Sequence, residues 1–438
     1  RKPNLTWALV VTLVYALAAT VLTWPLIRHL SSAIVGRGVT DGYEYIWSLW
    51  RTKHAIFGPG RGLARLAWVN HPVGLYQPFG LTLLTVNLTA LPLSLLLSPT
   101  MVYNLHALTS FMLCGLSTYL FLNELVEDRW AAFIGGLIFA FFPNKTGHFL
   151  AGHLPLIVAY WTPLAALFVW RLIKEPTVRR GVACGLILVA ALLVHPIHIV
   201  YFLMPTVAAI VVHFAASLKR DLFTMERSRA LLVAASVATV LAAPALEPSA
   251  AFQHVSGSLE AGGTVDYSGD LLAIVTPSPY HPVLRHISLL PDVVKDVLPN
   301  KHSLEEGLAY PGMTVLALSA WALVSDRRRS RVWAALAAIA LILSWGPLLK
   351  VGGNILTYTV DGYRGHVVLP YALLDRLPLF GLSRTPNRLN ETFMFALACM
   401  AGMGFADLSR RIRLVCTAPL LAAVVSSAVL FESVVLWP

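Results

Sequence analysis

Four short connectors between long apolar runs carry dense positive charge: RLIKEPTVRR at 171–180, SLKRDLFTMERSR at 217–229, SDRRRSR at 325–331 and DLSRRIR at 407–413. Together they hold fifteen of the thirty-three Lys and Arg residues. Short connectors rich in Lys and Arg stay on the cytoplasmic side of a bilayer, so these four constrain how the chain threads the membrane. Only 13% of the residues are charged and 57% are hydrophobic; a soluble domain carries about 25% charged residues. A chain of 438 residues this apolar cannot cover its surface in water, and the reading is an all-α polytopic membrane protein. The net charge of +11 sits largely in connectors that meet anionic headgroups, so it is no nucleic-acid footprint. Cys114, Cys184, Cys399 and Cys416 lie in apolar stretches without CxxC spacing. They read as small buried hydrophobes rather than a disulfide framework or a zinc site.

Apolar runs near 5–26, 101–122, 130–143, 154–173, 180–195, 197–216, 229–246, 311–324, 332–348, 391–407 and 413–436 read as about eleven spans. Several are short against the ~20 residues that a crossing helix needs. The first is too long for a signal-peptide core and reads as retained. The chain opens on Arg1 and stops at Pro438 as a helix ends, so both ends are read as trimmed. The segment 81–98 is a twelfth candidate. A full crossing there would break the shared sidedness of the four basic connectors and the N-terminus. It reads as a re-entrant or interfacial helix broken at Pro92, with a real crossing as the alternative. The N-terminus is then cytoplasmic in a plasma (inner) membrane. Residues 28–100, the short 144–153, 247–310 and 349–390 are extracytoplasmic loops on a single integrated domain spanning 1–438.

Residues 41–57 combine aromatic anchors (Tyr43, Tyr45, Trp47, Trp50) with Glu44, Arg51 and Lys53, which predicts an amphipathic helix along the interface. Asp41 and Glu44 stand at N-cap and N3, where an acidic capping box is one reading of both. Arg384 and Arg388 straddle Pro386 as the chain re-enters the membrane. Guanidinium forks suit phosphate oxygens; snorkelling to lipid headgroups is the competing reading.

The segments TDGYEYIWSLW (40–50), YNLHALTSFMLCGLSTYLFL (103–122), FIGGLIFAFFPNKTGHFLAGH (133–153), DLLAIVTPSPYHP (270–282) and LPLFGLSRTPNRLNETFMFALACMAGMG (377–404), in this order and sidedness, carry a family resemblance. The chain resembles the GT-C membrane glycosyltransferases, in plan the protein O-mannosyltransferases and aminoarabinose transferases, and more closely the bacterial YfhO-type membrane proteins. The resemblance implies a fold with interfacial helices in the first loop. It also implies transfer of a sugar from a polyprenyl-phosphate donor at the outer face. It gives Asp41 the role of catalytic base, with Glu44 second, because an acceptor hydroxyl must lose its proton as the glycosidic bond forms. Arg384, Arg388 and Lys145 are then candidates for the donor phosphate. His148, His153, Tyr280 and His281 are candidates for contact with substrate.

The loop at 144–153 departs from the pattern. Many GT-C enzymes carry a carboxylate there, whereas this chain has Lys145, His148 and His153. A divalent metal held by His148, His153 and Asp41 is one alternative; hydrogen bonding to backbone or acceptor is the other. The departure also keeps open a non-catalytic subunit or scaffold packed against membrane-protein partners. A transporter or flippase for a lipid-linked molecule is a further alternative, but it calls for mid-span polar groups and pseudo-repeats, and the sequence shows no long repeat.

Cysteines replacing Asp41 and Arg388 in a cysteine-free background should both react with an impermeant maleimide from the outer side. Reaction from opposite sides would end the shared-face reading.

Overall fold

The computed structural model describes residues 5–36, 40–58, 65–66, 72, 75–76, 83–218, 224–256, 264–287, 307–377, 380, 385–412 and 417–437. The chain is mostly helical. Helix α1 (Leu5–Leu22) is followed by α2 (Gly42–Phe57), α3 (Leu84–Ser94), α4 (Pro99–Val126), α5 (Arg129–Phe141), α6 (Pro143–Ala151), α7 (Leu154–Ile157), α8 (Trp161–Lys174) and α9 (Val178–Leu192). A π-helical turn (His198–Leu203) leads into α10 (Met204–Leu218), then α11 (Met225–Ser256), α12 (Leu284–Ile287), α13 (Met313–Ser325), α14 (Arg327–Ser344), α15 (Tyr371–Leu374), α16 (Asn390–Arg411) and α17 (Ala418–Glu432). Several connectors, such as those before α5, α9 and α14, are short, and side-chain caps mark some helix starts. Asp128 accepts from the backbone N–H of Trp130 and Ala131 to start α5, and Ser98 with Pro99 behind it starts α4.

Among the described residues, four stretches are long and apolar enough to cross a membrane: Leu5–Leu22, Pro99–Val126, His198–Ala215 and Pro386–Arg411. Their burial differs sharply. In α1 the exposed Leu5, Leu9, Leu13 and Leu17 recur every fourth residue on an outer stripe, which is the face a lipid-bathed helix presents. Helix α16 is enclosed almost throughout, from Asn390 to Ala406. Around its middle, Phe395 meets Phe121, Phe139, Phe202 and Trp333 with ring centroids 5.0–6.2 Å apart, mostly in the edge-on or tilted arrangements that aromatic quadrupoles favour. Since lipid tails are as apolar as these side chains, close packing rather than hydrophobic transfer holds such helices together. Helix α16 therefore passes its neighbours through small residues. A Cβ on Gly404 would stand 2.1 Å from the Leu318 carbonyl oxygen on α13.

Three expectations need correction. The segment 144–153 is not a loop: its first part is α6, and Pro143–Leu150 are buried. Pro143 supplies the first helical position and Gly152 the left-handed cap (φ +79°), the usual asymmetry of helix ends. Helix α11 runs through Pro244 and Pro248 to Ser256, past the boundary expected at residue 246. The chain is also not purely helical. Among the described residues, three two-stranded antiparallel sheets occur, at Arg65–Leu66 with Leu75–Tyr76, at Lys350–Val351 with Asn354–Ile355, and at Thr357–Val360 with Tyr363–His366.

The predicted interfacial helix is α2. It is fastened to α3 by Asn87, whose amide donates to Ser48 Oγ (3.0 Å) and Thr52 Oγ1 (2.9 Å), and by Lys53 Nζ donating to the Ser94 carbonyl (2.9 Å). Helix α3 contains Pro92 and has eleven residues, about 16 Å of rise, roughly half of a bilayer core.

Gly404→Ala should destabilise the protein by about 1–3 kcal/mol through overpacking against rigid backbone, seen as a lowered Tm in detergent. An unchanged Tm would mean that α13 and α16 do not approach as described.

Candidate functional site

The C-terminus of α6 abuts the N-terminus of α2, and the two ends complete each other's hydrogen bonding. The last carbonyls of a helix lack intrahelical partners. Here the Ala151 carbonyl accepts from Thr40 Oγ1 (2.8 Å) and from the Asp41 N–H (3.2 Å). Gly152 is pressed so close that a Cβ would lie 2.3 Å from both Gly42 N and Thr40 Oγ1. Across the junction, Tyr103 of α4 directs its hydroxyl at the Gly152 carbonyl (3.5 Å).

This junction brings Asp41, His153 and His148 into one line. Asp41 occupies the N-cap position of α2 but makes no capping hydrogen bond, so the capping-box reading is not realised. Its Oδ2 lies 3.2 Å from His153 Nε2, and His153 Nδ1 lies 2.9 Å from His148 Nδ1. A spacing of five suits no single helical face. The two rings meet because Gly152 turns the chain left-handed and returns the His153 N–H to the His148 carbonyl (2.9 Å). A carboxylate accepts only, so His153 donates from Nε2 to Asp41, and its Nδ1 shares a hydrogen with His148 Nδ1, either ring serving as the donor according to its tautomer. The side chains thus form a chain of hydrogen bonds. They do not converge on a common centre, and among the described residues no group of three His, Cys, Asp or Glu is placed to hold a metal ion. The line runs from the surface inward: the Asp41 side chain is 56% exposed, that of His153 14%, and His148 is buried.

The hydrogen bond from His153 holds the Asp41 carboxyl below its ordinary range. Partial burial opposes this, while the charges of His153 and Arg388 add to it. Glu44, one turn along α2, is pushed the other way by burial and by the Asp41 charge. Arg388 therefore stands within electrostatic reach of Asp41, and also of Tyr45 and His195. It sits in the 3-10 turn Pro386–Leu389 that opens α16.

The other expected residues are placed elsewhere. Arg384 lies outside the described residues. Lys145, expected at the donor phosphate, is buried in the core instead. Its Nζ donates to Cys114 Sγ (3.3 Å) and the Phe139 carbonyl (3.1 Å) and lies over the Phe139 ring, because α6 turns that side of 144–153 inward. His281 has both ring nitrogens engaged by backbone. Nε2 donates to the Phe431 carbonyl (2.7 Å), and Nδ1 accepts from the N–H of Val283 and Leu284. Burial pushes its pKa down, as suits a neutral ring. Its neighbour Tyr280 accepts the Leu436 N–H on its carbonyl (3.0 Å). Sequence reasoning missed Glu391, whose Oε2 lies 3.2 Å from His198 Nδ1; its place three residues after Arg388 was the available signal.

A group with a lowered pKa contributes stability above its ordinary value and loses it as pH falls through the lowered one. His153→Ala should accordingly raise the Asp41 titration towards the ordinary carboxylate value, measured by isotope-edited infrared spectroscopy. An unmoved titration would dismiss His153 as the cause.

Comparison with known proteins adds a family. The model described as "Domain of unknown function (DUF6311)" matches residues 85–427, a stretch that includes His148, His153, Arg388 and Glu391 and begins after Asp41. No curated protein matches the sequence. Among solved structures, similar folds include the archaeal oligosaccharyltransferase AglB from Archaeoglobus fulgidus in complex with an inhibitory peptide and a dolichol-phosphate. The identity is 15% and the TM-score 0.48, covering 99% of this chain and 56% of that one. The oligosaccharyltransferase of the same organism in complex with Zn and sulfate gives 16% identity and a TM-score of 0.49, covering 98% of this chain and 53% of that one. The chain thus spans little more than half the length of these structures. Since the family model extends over more than three quarters of the residues, the chain belongs to the DUF6311 family.

Proposed function

We propose that the protein is a membrane glycosyltransferase that moves a sugar from a polyprenyl-phosphate-linked donor to an acceptor at the extracytoplasmic face. The observation that carries this reading is the pairing of an exposed, ionised Asp41, held by His153, with the Arg388 cation in its field. Sugar transfer from a lipid phosphate needs both signs of charge at one place. The acceptor oxygen forms its bond to the anomeric carbon as the bond to the donor phosphate oxygen breaks. The acceptor proton passes to the Asp41 carboxylate, and the negative charge left on the polyprenyl phosphate meets the Arg388 guanidinium. A lowered pKa makes Asp41 a weak base. That suffices where the transition state has oxocarbenium character, as glycosyl chemistry generally does. The hydrogen bond from His153 Nε2 leaves the second Asp41 oxygen for the acceptor.

The lipid-facing stripe of α1 and the other apolar helices suit a donor confined to the bilayer. The eleven-span threading, a cytoplasmic N-terminus and a bacterial inner membrane complete the proposal, with membrane lipid as solvent. Arg384 extends the phosphate site by its spacing from Arg388. Glu44, whose raised pKa favours a held proton, stands beside Asp41 as a secondary acid or base.

With purified protein and a polyprenyl-phosphate sugar, Asp41→Asn should lower transfer about 10²–10⁴-fold with expression and Tm intact. Arg388→Ala should weaken binding of polyprenyl phosphate by about tenfold or more, as expected for loss of a charged hydrogen bond. Retained turnover in Asp41→Asn would remove Asp41 as base. Absence of both transfer and lipid binding in the wild type would favour a non-catalytic subunit.

A further inference from the structure

The two halves of this site come from distant parts of the chain. Asp41 and His153 sit at the α2–α6 junction, and Arg388 sits at the start of α16. One buried side chain touches both supporting segments. His198, 1% exposed, places Nε2 2.9 Å from the Pro155 carbonyl, two residues after His153. Its Nδ1 lies 3.2 Å from Glu391 Oε2, three residues after Arg388; this is an ion-pair distance off the line of a hydrogen bond. The proline carbonyl only accepts, so Nε2 carries a hydrogen. The contact with Glu391 attracts only when one further proton is held between the two groups.

The surroundings hold this bridge rigidly. Glu391 Oε1 is bonded to Thr162 Oγ1 (3.1 Å), at the start of α8. His198 opens the π-helical turn His198–Leu203, a departure from α geometry frequent at functional sites. The same turn is tied to α16 a second time, by Thr392 Oγ1 donating to the Tyr201 carbonyl. The Tyr201 hydroxyl in turn meets that of Tyr371 at 2.5 Å in the fourth loop.

We propose that His198 is a positioning residue: it joins the segment that carries His153 to the segment that carries Arg388, and so sets the spacing between carboxylate and phosphate-binding cation. This rests on the reading of Asp41 and Arg388 given above. His198 touches neither reactant, and its two nitrogens hold one half of the site each.

That division supplies the test. Asn places its amide nitrogen near Nδ1 and keeps the Glu391 contact; Gln places its amide nitrogen near Nε2 and keeps the Pro155 bond. Binding of undecaprenyl phosphate in detergent, followed by native mass spectrometry, should weaken about tenfold in His198→Gln and stay within about twofold in His198→Asn. Hydrogen exchange should show the complementary pattern. His198→Asn should lose protection in residues 154–158 and His198→Gln in residues 390–395, by about tenfold each. Equal effects of the two variants in either measurement would overturn the proposal and leave His198 a general packing residue. If the wild type binds no undecaprenyl phosphate, the glycosyltransferase reading falls, and the exchange pattern alone decides whether the bridge exists.

Discussion

Burial of α16 is the constraint from which the rest of the structure follows. A helix enclosed on all sides must present small side chains to its neighbours, and this one does so with Ala398, Ala401, Gly402 and Gly404 in sequence. Helices α5, α13 and α14 pack directly on it. Phe139 of α5 and Trp333 of α14 close on Phe395, near the N-terminus of α16. Glu391 lies in the first turn of this enclosed helix, and Arg388 in the 3-10 turn that leads into it. A catalytic or binding group mounted on such an element keeps its geometry within the tolerance that chemistry requires.

Several polar groups of this apolar protein tie loops to the helical scaffold. Asp270 accepts from the backbone N–H of Leu272, Gly352 and Gly353 at 2.8–3.3 Å, clamping the third loop to the first hairpin of the fourth. His281 clamps the same loop to α17 through the Phe431 carbonyl. Both are bonded to backbone around the carboxylate or ring, which is the signature of a structural tie. Asp41 differs. Its carboxylate is exposed and, among the described residues, is paired with a histidine side chain rather than with backbone. That contrast, more than residue type, separates the candidate site from the scaffold.

Part of the architecture was legible in the order of residues. The helix at 42–57 follows from local chemistry, and the structure contains it; the break expected at Pro92 does not occur, since α3 runs through Pro92 to Ser94. The meeting of His148 with His153 was not legible, since it depends on the backbone angle at Gly152. Nor was the inward turn of Lys145. A lysine beside two histidines in a polar stretch reads as solvent-facing until α6 is seen to be buried. Hairpins in the fourth loop also escaped notice, although Asp361-Gly362 occupies a turn in which both residues adopt positive φ.

What the sequence determined by itself is the solvent and the segmentation: apolar runs too numerous for water, punctuated by basic connectors, Pro and Gly. These are sums over neighbouring residues, and they need no knowledge of distant contacts. Which polar side chains share a site was decided only by tertiary structure. Asp41, His153, His198 and Arg388 are separated by more than three hundred positions from first to last. They are brought together by helix packing and by a carbonyl at the end of α6 that two residues of the first loop complete. Hydrogen bonds act over about 3 Å, and no local pattern can specify a coincidence of that precision.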